Sequence, residues 1–250
     1  MENTLKNYAA YLEEQELSEG TVSIYLRYAN QIEQYTAEEG ISKKMIFAYK
    51  ESLWQRRAAP TTVNLVVIAV NKYLKYAGYR ECTVKTERIQ KRKSLENVLS
   101  AEDYRRMLEY ARKSGRMKYY YIMKTLAQTG IRINELRYFT VEALEVRKIQ
   151  VNSKGKIREI YLPEGLIRDL KEYCIAERIT SGVIFMGNAQ KPIGRASVYK
   201  MLSRIGESAG VAREKVYPHS FRHLFAVTYM NCYGNLTELA DILFHLSIDI

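Results

Sequence analysis

Apolar residues in the first eighty positions recur every three or four residues, which is the period of an α-helix. The pattern occupies residues 5–12, 17–32, 42–57 and 63–76. Ser18 is placed to cap the second stretch, because its hydroxyl can accept a backbone N–H, and Gly78 is placed to end the fourth. The first part of the chain is therefore predicted to form a four-helix unit.

A second set of helical patterns follows a polar stretch at residues 81–94. Ser100, with Asp103 three residues later, predicts a capped helix start. Further helices are predicted at residues 119–128, 164–178, 195–209, 219–233 and 236–244. The polar stretch contains the basic run Lys91-Arg92-Lys93, and the boundary between two domains is predicted there.

Residues 145–162 follow a different pattern. Ile149 and Val151 alternate with polar residues, a turn at Ser153-Lys154-Gly155-Lys156 follows, and a second apolar series ends at Pro163. Alternation on both sides of a short polar turn indicates a β-hairpin. The predicted fold class is therefore mainly α with a small β-hairpin.

Composition narrows the function classes. The 250 residues are 47% hydrophobic and 27% charged, which excludes wholesale disorder. No apolar run approaches the roughly 20 residues of a membrane span, and no signal peptide is visible, so we expect a cytoplasmic protein without a membrane partner. The net charge of +11 favours a polyanion, most often nucleic acid. The scattered cysteines, Cys82, Cys174 and Cys232, indicate reduced thiols rather than a zinc site.

Two basic motifs are candidates for anion binding. Gly130 allows a left-handed turn, after which Arg132 is expected in the first turn of a helix, where a bound anion would offset the unfavourable helix dipole. The alternative is an exposed arginine after a helical corner. Lys154 and Lys156 at the hairpin tip offer mobile ammonium groups for a phosphate or a leaving oxygen, and a solvated turn is the alternative.

Two histidine motifs lie nearer the carboxyl end. His219 and Arg222 are three residues apart on one helix, and they combine a proton carrier with a phosphate-binding guanidinium. A capping histidine beside a surface arginine is the alternative. His223 is expected to face elsewhere and to be structural. His245 ends an apolar helix, where a histidine is usually a cap.

In this order the motifs resemble those of the tyrosine recombinase family, which includes phage integrases and Xer-like site-specific recombinases. The family pattern is an arginine within TG-x-R-x-x-E-L, a hairpin lysine, H-x-x-R and a final L-G-H-x-S-I. The matching segments are Thr129–Leu136, Ser153–Lys156, His219–Arg222 and Leu243–Ile248. The amino-terminal helices and the segment ENVLSAEDYRRML also look like those of the family.

The resemblance implies a domain order. Residues 1–90 would be a helical, SAM-like core-binding domain, residues 91–98 a basic linker, and residues 99–250 an α+β catalytic domain. Double-stranded DNA would be the partner, contacted by Lys91, Arg92, Lys93 and Lys156 among others. Family members act as tetramers that exchange their carboxyl-terminal segments, whereas we expect this chain to be a monomer in solution.

The resemblance also implies catalytic roles. Arg132 and Arg222 would bind the scissile phosphate, and His219 would assist proton transfer. Lys154, or alternatively Lys156, would protonate the departing 5′ oxygen, and His245 would bind a non-bridging oxygen. The bond energy would be kept in a 3′-phosphotyrosine, so neither a metal nor another cofactor is expected.

The chain departs from the family at its carboxyl end. The family's nucleophilic tyrosine follows the last histidine, but none of the 21 tyrosines here follows His245. Tyr229 and Tyr233 precede it and are interpreted as packing residues. Phe244 replaces the usual glycine, and Leu246 replaces the serine. We therefore expect a truncated recombinase that binds DNA without cleaving it, with a non-catalytic regulator derived from a recombinase as the alternative.

A third hypothesis is a helical nucleic-acid-binding protein unrelated to recombinases. This hypothesis would have to attribute the ordered motifs to chance. A type IB topoisomerase shares related chemistry but does not need the amino-terminal helical pattern. Because base recognition depends on which side chains face a groove, the DNA sequence bound is not predicted.

Overall fold

The computed structural model of the chain describes residues 2–89, 98–153 and 156–243. Contacts between Cα atoms divide the chain into two compact units, Met1–Lys93 and Ser94–Ile250. Side chains are described throughout these ranges except at residues 2, 3, 153, 156 and 189.

The first unit consists of helices whose starts follow the predicted caps. Their bounds are α1 Glu2–Glu14, α2 Glu19–Tyr35, α3 Lys43–Gln55 and α4 Pro60–Tyr76, followed by the 3₁₀-helix Arg80–Cys82. Ser18 Oγ accepts the amide of Thr21 at 3.3 Å, which confirms the predicted cap. Helix α4 begins at Pro60 rather than at the predicted residue 63. The first residue of a helix has no partner for its N–H within the helix, so proline, which has no N–H, is well suited to that position.

The core of the first unit lies where α2 and α4 pack against each other. Fully buried side chains come from every helix of the unit, including Tyr8, Ile32, Ile46 and Tyr73. The ring of Tyr8 meets that of Tyr73 edge to face with 5.1 Å between centroids, a favourable geometry for aromatic pairs. The predicted helical periodicity therefore corresponds to a real apolar core.

The second unit is also mostly helical. Its helices are α5 Ala101–Lys113, α6 Met117–Thr129, α7 Val141–Glu145, α8 Glu164–Ala176, α9 Arg195–Ser208, α10 Pro218–Tyr233 and α11 Leu236–Leu243, with 3₁₀-helices at Ile133–Tyr138, Asn188–Gln190 and Arg213–Lys215. Helix α6 packs against α5, α8 and α10 and forms the centre of the core. The short helix α7, capped by Thr140, was not predicted, because five residues are too few to show a period.

The predicted β-hairpin is confirmed. Strands β1 Lys148–Ser153 and β2 Lys156–Tyr161 pair antiparallel, with Ile149 opposite Ile160 and Val151 opposite Arg158. These four residues are buried and form the inner face. The tip residues Lys154 and Gly155 lie outside the described residues, so the predicted roles of the tip stay predictions.

The chain after α6 differs from the expected helix start. Gly130 does adopt the left-handed conformation, with φ +60°, but Arg132 is extended and precedes the 3₁₀-helix Ile133–Tyr138. The buried carboxylate of Glu135 accepts the backbone N–H of Arg132 at 2.7 Å and so closes a tight turn. The expected placement of Arg132 in the first turn of an α-helix was therefore wrong, and a helix dipole does not explain its position.

Membrane-spanning helices and metal-binding groups are both absent from the described residues. Among them, no helix is long and apolar enough to cross a membrane. The same residues contain no group of three or more His, Cys, Asp or Glu side chains that could hold a metal ion. Cys82 and Cys174 are buried free thiols, and Cys232 is an exposed one.

The cap at the start of α5 provides a test of the second unit's fold. Ser100 Oγ accepts the amide of Asp103 at 3.0 Å, and Asp103 Oδ2 accepts the amide of Ser100 at 3.4 Å. Replacing Ser100 by alanine should lower the free energy of unfolding by about 1 kcal/mol, because an amide of the first turn loses its acceptor. Urea unfolding followed by circular dichroism would measure the change. Ser197→Ala on the exposed face of α9 is the control, and an equal loss there would contradict the capping role.

Candidate functional site

The structure brings together two of the arginines that the sequence singled out. Arg222 lies in the second turn of α10 and is only 3% exposed. Its Nη1 donates to the carbonyl of Gly130 at 2.5 Å, and its Nη2 donates to the carbonyl of Leu243. The guanidinium therefore joins the turn after α6, two residues before Arg132, to the last described residue of α11.

Gly130 has two structural reasons to lack a side chain. Its φ of +60° is left-handed, and a Cβ atom there would lie 2.5 Å from Phe225 Cδ1 and 2.8 Å from Leu243 Cδ2. Both distances are far shorter than an ordinary contact. Helices α10 and α11 can approach the turn closely only because this residue is glycine, and that approach brings the carbonyl of Leu243 to Arg222.

Glu135 is a buried carboxylate between two further arginines. Its Oε2 accepts a hydrogen bond from Arg158 Nη2 at 2.8 Å, and its Oε1 lies 3.3 Å from Arg132 Nη1. The side chains of Glu135 and Arg158 are 6% and 8% exposed, whereas that of Arg132 is 40% exposed. Arg132 is therefore the member of this cluster that a ligand from solvent reaches most easily.

We call Arg132, Glu135, Arg158 and Arg222 the arginine cluster; it carries three positive charges and one negative charge. Burial, together with the charges of Arg132 and Arg158, lowers the pKa of Arg222 to about 10, whereas Glu135 opposes the shift. Burial likewise lowers the pKa of Arg158, against the opposing effect of Glu135. The cluster remains cationic at neutral pH, and an added anion would relieve the repulsion.

One hydrogen-bond donor of Arg222, the Nε group, is buried and makes no hydrogen bond to the described residues. A buried donor of this kind costs free energy unless something accepts from it. The cluster thus combines excess positive charge with an unused donor, as expected of a site for an oxyanion.

His219 lies in the first turn of α10 and is exposed, whereas Arg222, one turn later, points into the protein. The ring of His219 meets that of His223 edge to face, with 4.8 Å between centroids. The expectation that His223 faces elsewhere on the helix was therefore wrong, since residues four apart are neighbours on a helix. Partial burial and the charge of Arg222 lower the pKa of His223.

The other predicted site residues are not placed by the structure. Lys154, His245 and the linker residues Lys91, Arg92 and Lys93 lie outside the described residues. The backbone of Lys156 belongs to β2, but its side chain is not described. Arg132, His219 and Arg222 are thus the predicted site residues for which geometry is available.

Sequence reasoning missed the roles of Glu135 and Arg158. Arg158, Ile160 and Leu162 stand at every second position from β2 into the residue that follows it. Ile160 and Leu162 are both buried. Because side chains alternate between the faces of a strand, that spacing places Arg158 on the inner face. A buried arginine needs an acceptor, and this requirement would have pointed to a nearby carboxylate.

Tyr229 and Tyr233 belong to an aromatic series along α10. The centroid of Tyr229 lies 5.9 Å from that of Phe225 and 4.8 Å from that of Tyr233. A hydrogen bond to Glu238 raises the pKa of Tyr229 to about 12, which disfavours the phenolate that a nucleophile requires. These contacts support the interpretation of Tyr229 as a packing residue, whereas Tyr233 is 73% exposed, and its interpretation as a packing residue is not supported.

Comparison with known proteins gives two family matches. Residues 97–250 match the phage integrase family, and residues 5–81 match the phage integrase N-terminal SAM-like domain. The chain is 25% identical to tyrosine recombinase XerA of Pyrococcus furiosus over 253 residues, covering 98% of this chain and 86% of the relative. It is 22% identical over 271 residues to tyrosine recombinase XerD of Staphylococcus aureus, covering 99% of this chain and 92% of the relative.

Solved structures show the same fold. A lambda integrase fragment, a dimer bound to a COC′ core site, superposes with a TM-score of 0.78 at 16% identity, covering 99% of this chain and 92% of that one. XerH bound to its difH substrate gives a TM-score of 0.67 at 22% identity, covering 92% and 73%. The phage integrase family match covers well over half of this chain's residues, and the chain therefore belongs to the phage integrase family of tyrosine recombinases.

Proposed function

We propose that the protein is of the site-specific DNA recombinase type, whose members cleave and rejoin strands of duplex DNA through a 3′-phosphotyrosine, and that these 250 residues bind duplex DNA without cleaving it. The observation that carries the proposal is the arginine cluster, in which Arg132 and Arg222 meet beside Gly130. The DNA-bound lambda integrase and XerH, which share the fold, support duplex DNA as the partner.

The cluster suits a phosphodiester because the reaction increases the charge on the phosphate. When an oxygen nucleophile attacks phosphorus, a second negative charge develops on the non-bridging oxygens. Arg132 offers an accessible guanidinium, and Arg222 offers a buried one that is already fixed in place. Cations held in position before the reaction stabilise such a state without having to reorganise.

Glu135 and Arg158 act as positioning residues in this proposal. Glu135 accepts both the backbone N–H and the guanidinium of Arg132, which fixes the direction of that arginine. Arg158 offsets the negative charge of Glu135 from the side of the β-hairpin. The cluster therefore keeps its excess positive charge for the DNA.

Proton transfer completes the proposed mechanism. In this class of reaction a tyrosine hydroxyl gives up its proton as its oxygen bonds to phosphorus, the bond between phosphorus and the 5′ oxygen breaks, and the departing 5′ oxygen takes up a proton. Lys154, with Lys156 as the alternative, is proposed as its donor, and exposed His219 is proposed to assist proton transfer. His245 is proposed to bind a non-bridging oxygen. When a neighbouring strand's 5′ hydroxyl attacks the phosphotyrosine, the bond changes reverse and no external energy source is needed.

The partner assembly is part of the proposal. The protein is proposed to act as a tetramer on DNA, and to be a monomer in solution and a cytoplasmic protein. The lambda integrase structure contains a dimer on its core site, which supports assembly on DNA.

Arg132 provides a test of phosphate binding. Arg132→Ala should weaken binding to random-sequence duplexes and reduce the slope of log K against log salt by about 0.9, because one phosphate contact is lost. Fluorescence anisotropy at several salt concentrations would measure both quantities. Arg168→Ala, which removes an equally charged exposed residue from α8, is the matched control. Equal slope changes for the two variants would contradict the role given to Arg132.

The pair of Glu135 and Arg158 provides a test of the cluster's electrostatics. Glu135→Gln should lower the free energy of unfolding by about 3 kcal/mol, because it removes the carboxylate that offsets buried positive charge. Replacing Arg158 by methionine in the same chain should restore part of that loss. Urea unfolding of the single and double variants would measure the coupling. Additive losses would show that the two residues do not act together.

Covalent chemistry provides the third test. The 250 residues contain no tyrosine after His245, so we propose that they bind duplex DNA without forming a phosphotyrosine. Incubation with nicked duplexes of randomised core sequence should give no covalent band on a denaturing gel. A robust band would overturn this expectation, and Tyr229→Phe and Tyr233→Phe would then show whether either tyrosine is the nucleophile.

A further inference from the structure

The segment that follows the first unit's last helical turn is held by side chains of α4. After the 3₁₀-helix Arg80–Cys82, residues 83–89 form neither helix nor strand. Asn71 Nδ2 donates to the carbonyl of Val84 at 2.8 Å, and the amide of Val84 donates to Asn71 Oδ1 at 3.1 Å. Asn64 holds Glu87 in the same way, at 2.9 and 2.7 Å.

Each of these asparagine side chains forms the two hydrogen bonds that a residue of a neighbouring β-strand would form. A carboxamide carries the same donor and acceptor as a peptide group, so one side chain satisfies both backbone groups of one residue. Asn64 and Asn71 are seven residues apart, about 10.5 Å along a helix. Three residues of extended chain span about 10 Å. The spacing on α4 therefore matches the distance from Val84 to Glu87.

A lysine of α3 supplies a third attachment. Lys50 Nζ donates to the carbonyl of Lys85 at 2.8 Å and forms an ion pair with Glu87 Oε1 at 2.7 Å. The Lys50 side chain is only 10% exposed, so the pair is partly shielded from water. Cys82 is buried, and Val84 packs against the core of the first unit. We call residues 83–87 the strap.

The strap lies between the two family matches, which end at residue 81 and begin at residue 97. Its sequence is polar; the pattern placed the domain boundary within residues 81–94, and the family resemblance placed the segment at the end of the domain of residues 1–90. The structure shows that its backbone is attached to α3 and α4 through Lys50, Asn64 and Asn71. The stretch of sequence between the strap and the second family match is residues 88–96, whereas without these attachments the stretch not held by α3 and α4 would begin at residue 83.

We propose that Asn64, Asn71 and Lys50 are positioning residues for DNA binding, because they shorten the connection between two DNA-binding units. This role rests on the proposed function, in which both units contact one duplex. Where a connection is longer than the span of its two sites, as this proposal holds for the chain after the strap, the effective concentration of the second unit falls roughly as the −3/2 power of the connecting length. Release of the strap should therefore weaken binding by the whole chain about twofold.

The first measurement tests the strap without DNA. In the 250-residue chain, Asn64→Ala with Asn71→Ala should speed hydrogen exchange at the amides of Val84 and Glu87 at least tenfold, because both amides lose their acceptors. Alanine favours helix more than asparagine does, so α4 itself is not weakened. Asn7→Ala on the exposed face of α1 is the matched control and should leave these amides unchanged. Unprotected amides in the unchanged chain would overturn the proposal, as would unchanged exchange in the variant.

The second measurement tests the consequence for DNA. The double variant should bind a random-sequence duplex about twofold more weakly than the Asn7→Ala control, with the same salt slope, because no phosphate contact is lost. Faster exchange with unaltered affinity would overturn the positioning role and leave the strap a structural feature. A changed salt slope would overturn it too, because the asparagines would then contact DNA directly. Failure of the unchanged chain to bind DNA would overturn the proposed function and this role together, while the exchange result would stand.

Discussion

The arrangement of the second unit's site depends on one buried guanidinium, that of Arg222. Its donors engage the carbonyls of Gly130, which follows α6, and of Leu243 in α11, two elements distant in sequence. Gly130 makes this possible because a side chain there would collide with Phe225 and Leu243. One interaction thus sets the positions of α6, α10 and α11 around the turn that carries Arg132. The same buried cation supplies one of the three positive charges that favour an anion at this site.

Burying several arginines together requires compensation, and Glu135 provides it. The carboxylate accepts from Arg132 and Arg158, and the cluster still retains a net positive charge. Complete neutralisation would stabilise the fold but leave no electrostatic preference for an anion. Burial and the incompletely neutralised charges of Arg132 and Arg158 lower the pKa of Arg222, and the remaining positive charge favours an anion. Stability and anion binding therefore oppose each other in this cluster, and family membership accords with binding being favoured.

The two units use the same device in different places, since polar side chains satisfy backbone groups where regular structure ends. Arg222 does so at two helix ends, and Asn64 and Asn71 do so along the strap. Backbone groups left unsatisfied away from water are costly, so such side chains determine where a segment lies. In the first unit the consequence concerns how the chain leaves the domain, and in the second it concerns the geometry of the proposed phosphate site.

The sequence by itself determined the features that depend on neighbouring residues. Helix periods, the Ser18 and Ser100 caps, the left-handed Gly130 and the hairpin are local, and the structure confirms them. The ordered motifs also indicated the family before any geometry was known. Only the tertiary structure decided the 3₁₀-helix after Arg132, the pairing of Glu135 with Arg158 and the attachment of the strap. Each of these depends on contacts between residues that are distant along the chain or on a buried polar group that must find its partner, and a local pattern carries no record of either.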